Sequence, residues 1–167
     1  MWRIVEEALK GSPAKLKVAR LLVEYGFRVS PEGDIYCGDV EIPDTKIAKA
    51  AGVDRRIVKE TAKAILSDPR LREIFTKIEP AGALLKSIAP LLGYGAVEIK
   101  ADPQAVGVVA RVASIIAGHG ISIRQILAED PELSPEPKLT VITSSPIPGE
   151  VVEELRKVPT VTQVTLY

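Results

Sequence analysis

The residues from Asp102 to Gly107 place a carboxylate and a glycine at the start of a predicted helix. A glycine here lets ligand atoms approach the main chain, and the unpaired N–H groups of a helix N-terminus favour a carboxylate. The carboxylate of Asp102 is placed to accept a hydrogen bond from an ammonium group. The pattern predicts a site for a small ligand that carries both groups. The alternative is that Gly107 only permits tight packing and Asp102 only ends a strand.

A second group of residues, between positions 46 and 63, is strongly basic. Its members are Lys46, Lys49, Arg55, Arg56, Lys59 and Lys63. The last four fall at the start and along one side of a predicted helix, where contacts to DNA or to a partner protein are commonly made. Asp54 and Glu60 lie on the same helix and would repel phosphates. DNA binding and protein binding therefore both remain open for this part of the chain.

Catalytic, cofactor and metal sites find no support in the motifs. The chain has no glycine-rich phosphate loop and no Gly-x-Ser-x-Gly nucleophile pattern. Its single cysteine, Cys37, and single histidine, His119, cannot form a zinc cluster. We expect a protein that is not an enzyme and holds no cofactor or metal. His119 is predicted to end a helix and not to touch a ligand.

Composition indicates a folded protein without a membrane anchor. Of the 167 residues 46% are hydrophobic, and the net charge is zero, with a mild positive excess in the first half and a mild negative excess in the second. No apolar run approaches the roughly 20 residues that cross a bilayer, and no signal peptide begins the sequence. These features predict a cytoplasmic location. The absence of asparagine and the 13 prolines suggest a thermophilic source.

The first half of the chain is predicted to form a helical domain over residues 1–78. Two short amphipathic helices, 2–10 and 13–25, precede a β-hairpin over 27–42, in which the break at Gly38 is interpreted as a bulge. Helices over 44–51 and 55–66, separated by a turn at Gly52, make a helix-turn-helix pattern. A short helical continuation follows at 71–75. Residues 79–93 are predicted to form a connector helix that ends at Gly93.

The second half, residues 94–167, alternates strands and helices in the order βαββαβ. The strands are predicted near residues 97–99, 121–128, 139–143 and 161–166, and the helices at 108–116 and 148–157. Val161 falls out of phase with Val164 and Leu166. This order is that of the ferredoxin-like arrangement, an antiparallel sheet with both helices on one face. The predicted fold class is α+β.

Residues 99–112 run from a strand through an acidic turn to a glycine at a helix start, and residues 118–123 place a glycine before the next strand. Both segments resemble the ACT domain family. That resemblance implies that small effectors, usually amino acids, bind at an interface between two copies. It implies a set of effector-binding residues: Asp102, Val106, Gly107, Val108, Gly120, Ile121, Ser122 and Ile123.

Over nearly its full length the chain resembles an archaeal group of ACT proteins with an N-terminal helix-turn-helix-like region. Residues 53–60, 120–125 and 146–151 carry this wider resemblance. The group has been proposed to regulate homoserine dehydrogenase allosterically. The resemblance therefore implies a partner enzyme of amino-acid biosynthesis.

Two functions follow from these patterns. In the first, an amino acid binds at the ACT interface of a dimer, and the N-terminal part contacts the regulated enzyme. In the second, the same sensor controls a transcription regulator that binds DNA through Arg55, Arg56, Lys59 and Lys63. Dimerisation is expected in both, because an exposed sheet edge or an open helical face invites pairing. If the ACT part binds no ligand, it serves only for assembly.

Overall fold

The computed structural model describes all residues from Met1 to Tyr167. The protein is of the α+β type, with seven α-helices and two antiparallel sheets. The chain divides into two compact units, Met1–Gly82 and Ala83–Tyr167.

The first unit is mainly helical. Its helices are α1 (Trp2–Ala8), α2 (Pro13–Tyr25), α3 (Asp44–Ala51), α4 (Arg55–Ser67) and α5 (Pro69–Phe75), and its strands are β1 (Arg28–Val29), β2 (Ile35–Cys37) and β3 (Val40–Glu41). Gly52 ends α3 in the left-handed conformation, and the Asp54 carboxylate begins α4 by accepting a hydrogen bond of 2.8 Å from the Arg56 N–H. Buried side chains such as Leu22, Ile65 and Phe75 form the core.

The predicted single hairpin over residues 27–42 is a three-stranded sheet in the structure, in the order β1–β2–β3. Val29 pairs with Ile35, and Cys37 pairs with Val40. Gly38 lies between β2 and β3 with φ at 56°, which lets the chain reverse a second time. The break at Gly38 is therefore a turn and not a bulge.

The second unit contains four strands and two helices in the order strand, helix, strand, strand, helix, strand. These are β4 (Gly95–Ala101), α6 (Val108–Gly118), β5 (Ile123–Ala128), β6 (Lys138–Thr143), α7 (Gly149–Arg156) and β7 (Val161–Leu166). The strands form one antiparallel sheet in the order β5–β6–β4–β7. The out-of-phase position of Val161 is explained by a register shift between Lys100 and Ala101 in the pairing of β4 with β7.

The sheet is covered on both faces. One face packs on α6 and α7 through residues such as Val97, Ile99, Val112 and Leu155. The opposite face carries Ala96 and Ile142, which pack with residues of the preceding segment, 83–94. We call residues 83–94 the covering segment.

The connector helix predicted over residues 79–93 is wrong. This stretch contains only two single-turn 3₁₀ helices, Lys86–Ile88 and Pro90–Leu92. Pro90 lacks the N–H that a helix interior needs, and Gly82 adopts a φ of 93°. In addition, Gln125 bonds the main-chain groups that would continue a helix, since its Oε1 accepts from the Leu85 N–H at 3.1 Å and its Nε2 donates to the Ala83 carbonyl at 2.9 Å.

Candidate functional site

The turn between β4 and α6 presents an open main chain. Gly107 precedes the first turn of α6 with φ at 85°, and no atom lies within 4 Å of the position that a Cβ would take. The first hydrogen bond of the helix runs from the Arg111 N–H to the Gly107 carbonyl at 3.1 Å. The earlier N–H groups of α6 therefore point towards solvent, where they favour an anion. Val106 beside them is 93% exposed.

Asp102 ends β4 and also shapes this turn. Its Oδ1 accepts a hydrogen bond of 2.9 Å from the Gln104 N–H, and its own N–H donates to the Thr160 carbonyl at 3.0 Å. The side chain is exposed. One carboxylate oxygen thus holds the turn, and the other is available to a ligand.

A cavity of about 120 Å³ lies beside this turn. Its wall combines the β4–α6 turn with the loop between β5 and β6. Most of the lining is apolar: Ile99, Ala101, Pro103, Ala105, Val108, Val109, Ala128, Pro131, Pro137 and Leu139. Three charged residues complete it, Asp102, Glu129 and Lys138. Of the predicted effector residues, Asp102 and Val108 line the cavity, whereas Val106 and Gly107 do not.

The second predicted group, Gly120–Ile123, lies at the other end of α6. Its main chain is already engaged in part, because the Ile121 N–H donates to the Ile116 carbonyl at 3.3 Å and the Ser144 N–H donates to the Ser122 carbonyl at 2.8 Å. Helix α6 has 11 residues and spans about 16 Å. A single copy of the chain therefore does not bring Gly120–Ile123 to the turn at Gly107.

His119 connects α6 to α7. Its Nε2 lies 3.1 Å from Glu154 Oε1, and its Nδ1 lies 3.5 Å from Glu150 Oε1. The ring therefore contacts two carboxylates of the same unit.

In the first unit, three of the four basic residues singled out on α4 contact carboxylates. Arg55 Nε and Lys59 Nζ each lie 3.9 Å from Asp44 Oδ2, and Arg56 Nε lies 3.3 Å from Asp54 Oδ1. The Arg56 N–H and guanidinium hold the pKa of Asp54 below its ordinary value. Only Lys63 among the four has no ion pair. The cations are exposed, although the Asp44 side chain keeps only 18% of its exposure. Solvent on the cations weakens the pairs, yet the carboxylates lower the positive charge that α4 presents.

Arg55 and Lys59 also line a polar cavity of about 260 Å³. Its remaining lining includes three carboxylates, Asp34, Glu41 and Asp44. A bare anion would meet repulsion here, whereas a group with both charges would find partners of each sign.

One charged group that the sequence did not single out is buried in the second unit. The Glu98 side chain is 7% exposed, and its carboxylate lies 3.2 Å from Lys86 Nζ and 3.4 Å from Lys138 Nζ. It also accepts a hydrogen bond from the Tyr167 hydroxyl. The alternation of residues along β4 predicts that Glu98 lies on the face of the sheet opposite Val97 and Ile99. It does not predict that this face is buried, because the covering segment buries it.

No protein-family model matches the chain, and a search of curated proteins finds no match. None of the helices combines the length and apolar character that crossing a membrane requires. No group of three or more His, Cys, Asp or Glu residues is placed to hold a metal ion.

Proposed function

We propose that the chain is an amino-acid-sensing regulatory protein. In this proposal the second unit is a ferredoxin-like ACT domain that binds a small effector, and the first unit is a helix-turn-helix-like domain. The effector controls contact with an enzyme of amino-acid biosynthesis, and homoserine dehydrogenase is the partner that the resemblance names.

One observation carries the proposal: an open helix start lies next to a largely apolar cavity of about 120 Å³. The N–H groups of α6 suit a carboxylate, Asp102 and Glu129 suit an ammonium group, and the cavity suits a small apolar side chain. The strand order of the sheet supports the ACT interpretation, since a βαββαβ chain with a central first strand is the ferredoxin-like topology.

The position of Gly120–Ile123 fits a site shared by two copies. The length of α6, about 16 Å, separates these residues from Gly107 within one chain, so they would complete the site only from a second copy. Effector binding would then change how the two copies are arranged, which is how a distant contact with an enzyme would be regulated.

Thermal unfolding in the presence of each proteinogenic amino acid tests this proposal. A ligand at about 100 times its Kd contributes about 2.7 kcal/mol, which raises Tm by roughly 15 °C for a unit of this size. In Gly107→Val the shift is expected to disappear, because the added side chain fills the open turn.

Gly93→Val is the matched control. Gly93 also has a positive φ, 71°, and no atom within 4 Å of a Cβ position, but it lies outside the cavity and the turn. The Gly93→Val substitution therefore causes a similar backbone strain but adds no side chain to the site. An equal shift in Gly107→Val and Gly93→Val would show that the effector does not bind at Gly107. No shift of the wild type with any amino acid would remove the sensor from the proposal.

A second candidate function, control of transcription through DNA binding, is favoured by the exposure of the α4 side chains. Those of Arg55, Arg56 and Lys59 are 60%, 88% and 58% exposed at the start of the second helix of the pair. The same ion pairs that involve Asp44 would have to open before Arg55 and Lys59 reach a phosphate.

If DNA binds, Asp44→Asn is expected to tighten binding to a duplex about fivefold, since each exposed ion pair that no longer has to break contributes roughly 0.5 kcal/mol. Fluorescence anisotropy at physiological salt measures the affinity. Asp39→Asn is the control for net charge. It removes the same negative charge at a carboxylate that forms no ion pair, so any tightening of DNA binding that it causes is subtracted. If neither wild type nor Asp44→Asn binds the duplex, the transcription hypothesis is discarded.

A further inference from the structure

Strand β7 leaves one side of its main chain unpaired. It is an edge strand whose only neighbour in the sheet is β4. The Tyr167 N–H donates to the Ala96 carbonyl at 3.0 Å, which fixes the alternation along the strand. Thr165 and Tyr167 therefore direct their main-chain groups towards β4, and Val164 and Leu166 direct theirs away from the sheet.

The outer side of β7 lacks the features that usually protect a sheet edge. Natural edges carry charges or prolines that prevent pairing with another strand. Residues 161–167 contain no charged side chain and no proline. The stretch without a charged side chain extends from residue 158 to residue 167. The other edge strand, β5, contains Arg124 and is followed by Glu129 and Asp130. Leu166 and Tyr167 are also 47% and 52% exposed.

The space beside β7 is open to a further strand. A groove of about 340 Å³ lies beside the first part of β7, lined by Arg156, Val161, Thr162, Gln163 and Val164, and the later part of the strand carries the exposed side chains of Leu166 and Tyr167. Towards Thr162 the regular ladder ends, because the register shifts there and the Thr162 hydroxyl donates to the Lys100 carbonyl at 3.2 Å. A partner strand would therefore pair with the later part of β7.

We propose that β7 pairs antiparallel with β7 of a second copy of this chain, about a two-fold axis at Thr165. In this register each Val164 faces the partner's Leu166, and the outward N–H and C=O groups of both residues are all hydrogen-bonded. The two sheets become one continuous sheet. The strand is thus self-complementary, as a two-fold contact requires.

The side chains of β7 favour the same register that the main-chain hydrogen bonds favour. Apolar Leu166 and Val164 meet across the axis on the face that carries α6 and α7, and Thr165 meets Thr165 on the other face. No like charges come together, which is the usual penalty when a strand pairs with itself. One strand pair buries less than the roughly 1,200 Å² at the lower end of standard interfaces, so we expect the dimer to dissociate on dilution.

Disulfide cross-linking tests the register. In a Cys37→Ser background, Thr165→Cys places two thiols opposite each other with Cα atoms about 4.5 Å apart, a separation that a disulfide can bridge. Gln163→Cys is the matched control, because in the same register its two copies lie more than about 13 Å apart. We expect a disulfide-linked dimer from Thr165→Cys alone. Equal cross-linking of both variants, or of neither, would overturn the proposed contact.

The molar mass in solution supplies an independent test. Leu166→Lys adds a charge to an exposed edge position, so light scattering across a dilution series is expected to give half the wild-type mass. Ile126→Lys makes the same change on β5, at a residue 38% exposed. A Leu166→Lys variant that is folded by circular dichroism and keeps the wild-type mass contradicts the proposal, whether or not Ile126→Lys dissociates. Strands β5 and β7 are opposite edges of the sheet, so this contact differs from the one that would bring Gly120–Ile123 to the effector site of a second copy. Neither test needs an effector, and the result therefore stands apart from the proposed sensing function.

Discussion

Replacing Gly26 by alanine is expected to lower the free energy of unfolding of the first unit by about 3 kcal/mol. Gly26 ends α2 with φ at 65°, where an alanine costs roughly 1 kcal/mol. Its Cβ would also lie 2.6 Å from the Glu79 carbonyl oxygen and from Pro80 Cα. These are main-chain atoms, so the overlap is relieved only by moving residues 79–80, which costs roughly 2 kcal/mol more.

Gly52→Ala separates the two contributions. Gly52 ends α3 with the same φ of 65°, but nothing lies within 4 Å of its Cβ position. We expect a loss of about 1 kcal/mol there, from the backbone conformation alone. Urea unfolding followed by the fluorescence of Trp2, the only tryptophan and a buried one, reports on this unit. Equal losses in both variants would mean that the packing of residues 79–80 on Gly26 contributes nothing.

Local patterns were sufficient to predict most elements of the chain. Helices α3 and α4 follow from apolar spacing together with Gly52 and Asp54, which act within one turn. The strand and helix order of the second unit follows from the change of period between β4, α6 and β5. In each case the residues that determine the element lie inside it or beside it.

Residues 79–93 show where this logic fails. Their leucines and alanines favour a helix, but Ala89 packs on Ala96 and Ile142, and Gln125 bonds the main chain at Ala83 and Leu85. The hydrogen bonds of Gln125 join residues 40 and 42 positions apart in the sequence, and local propensity does not report such contacts. Tertiary contacts together with Gly82 and Pro90 outweigh the weak helical preference.

The candidate site divides in the same way. The sequence places Asp102 at a strand end and Gly107 at a helix start, and the structure has them there, because these positions are marked locally. Glu129 and Lys138 are not, because their place beside Asp102 depends on how the loop between β5 and β6 folds back. Within that loop the Glu129 N–H donates to the Lys138 carbonyl at 3.0 Å, which draws the two ends of the loop together.

Removing the buried carboxylate of Glu98 is expected to destabilise the second unit by about 2 kcal/mol. Loss of one member of a buried charge pair costs about 3–5 kcal/mol when its partner remains buried. Here Lys86 and Lys138 keep 24% and 36% of their side-chain exposure and can turn to solvent, which reduces the cost. In Glu98→Ala, hydrogen exchange of the β4 and β6 amides should accelerate about 30-fold.

A double-mutant cycle assigns this loss to a particular contact. Lys86 belongs to the covering segment, and its ammonium group lies 3.2 Å from the Glu98 carboxylate and 4.6 Å from the centre of the Tyr167 ring. Lys86→Met should cost about 1 kcal/mol in the wild type and much less in Glu98→Gln, because the charge it pairs with is already gone. Glu153→Gln, which removes an exposed pair with Arg156, is the control and should leave exchange unchanged. An equal cost of Lys86→Met in both backgrounds would show that Lys86 holds the covering segment through the Tyr167 ring or through packing. The charge of Glu98 would then contribute to the sheet face only through Lys138 and Tyr167.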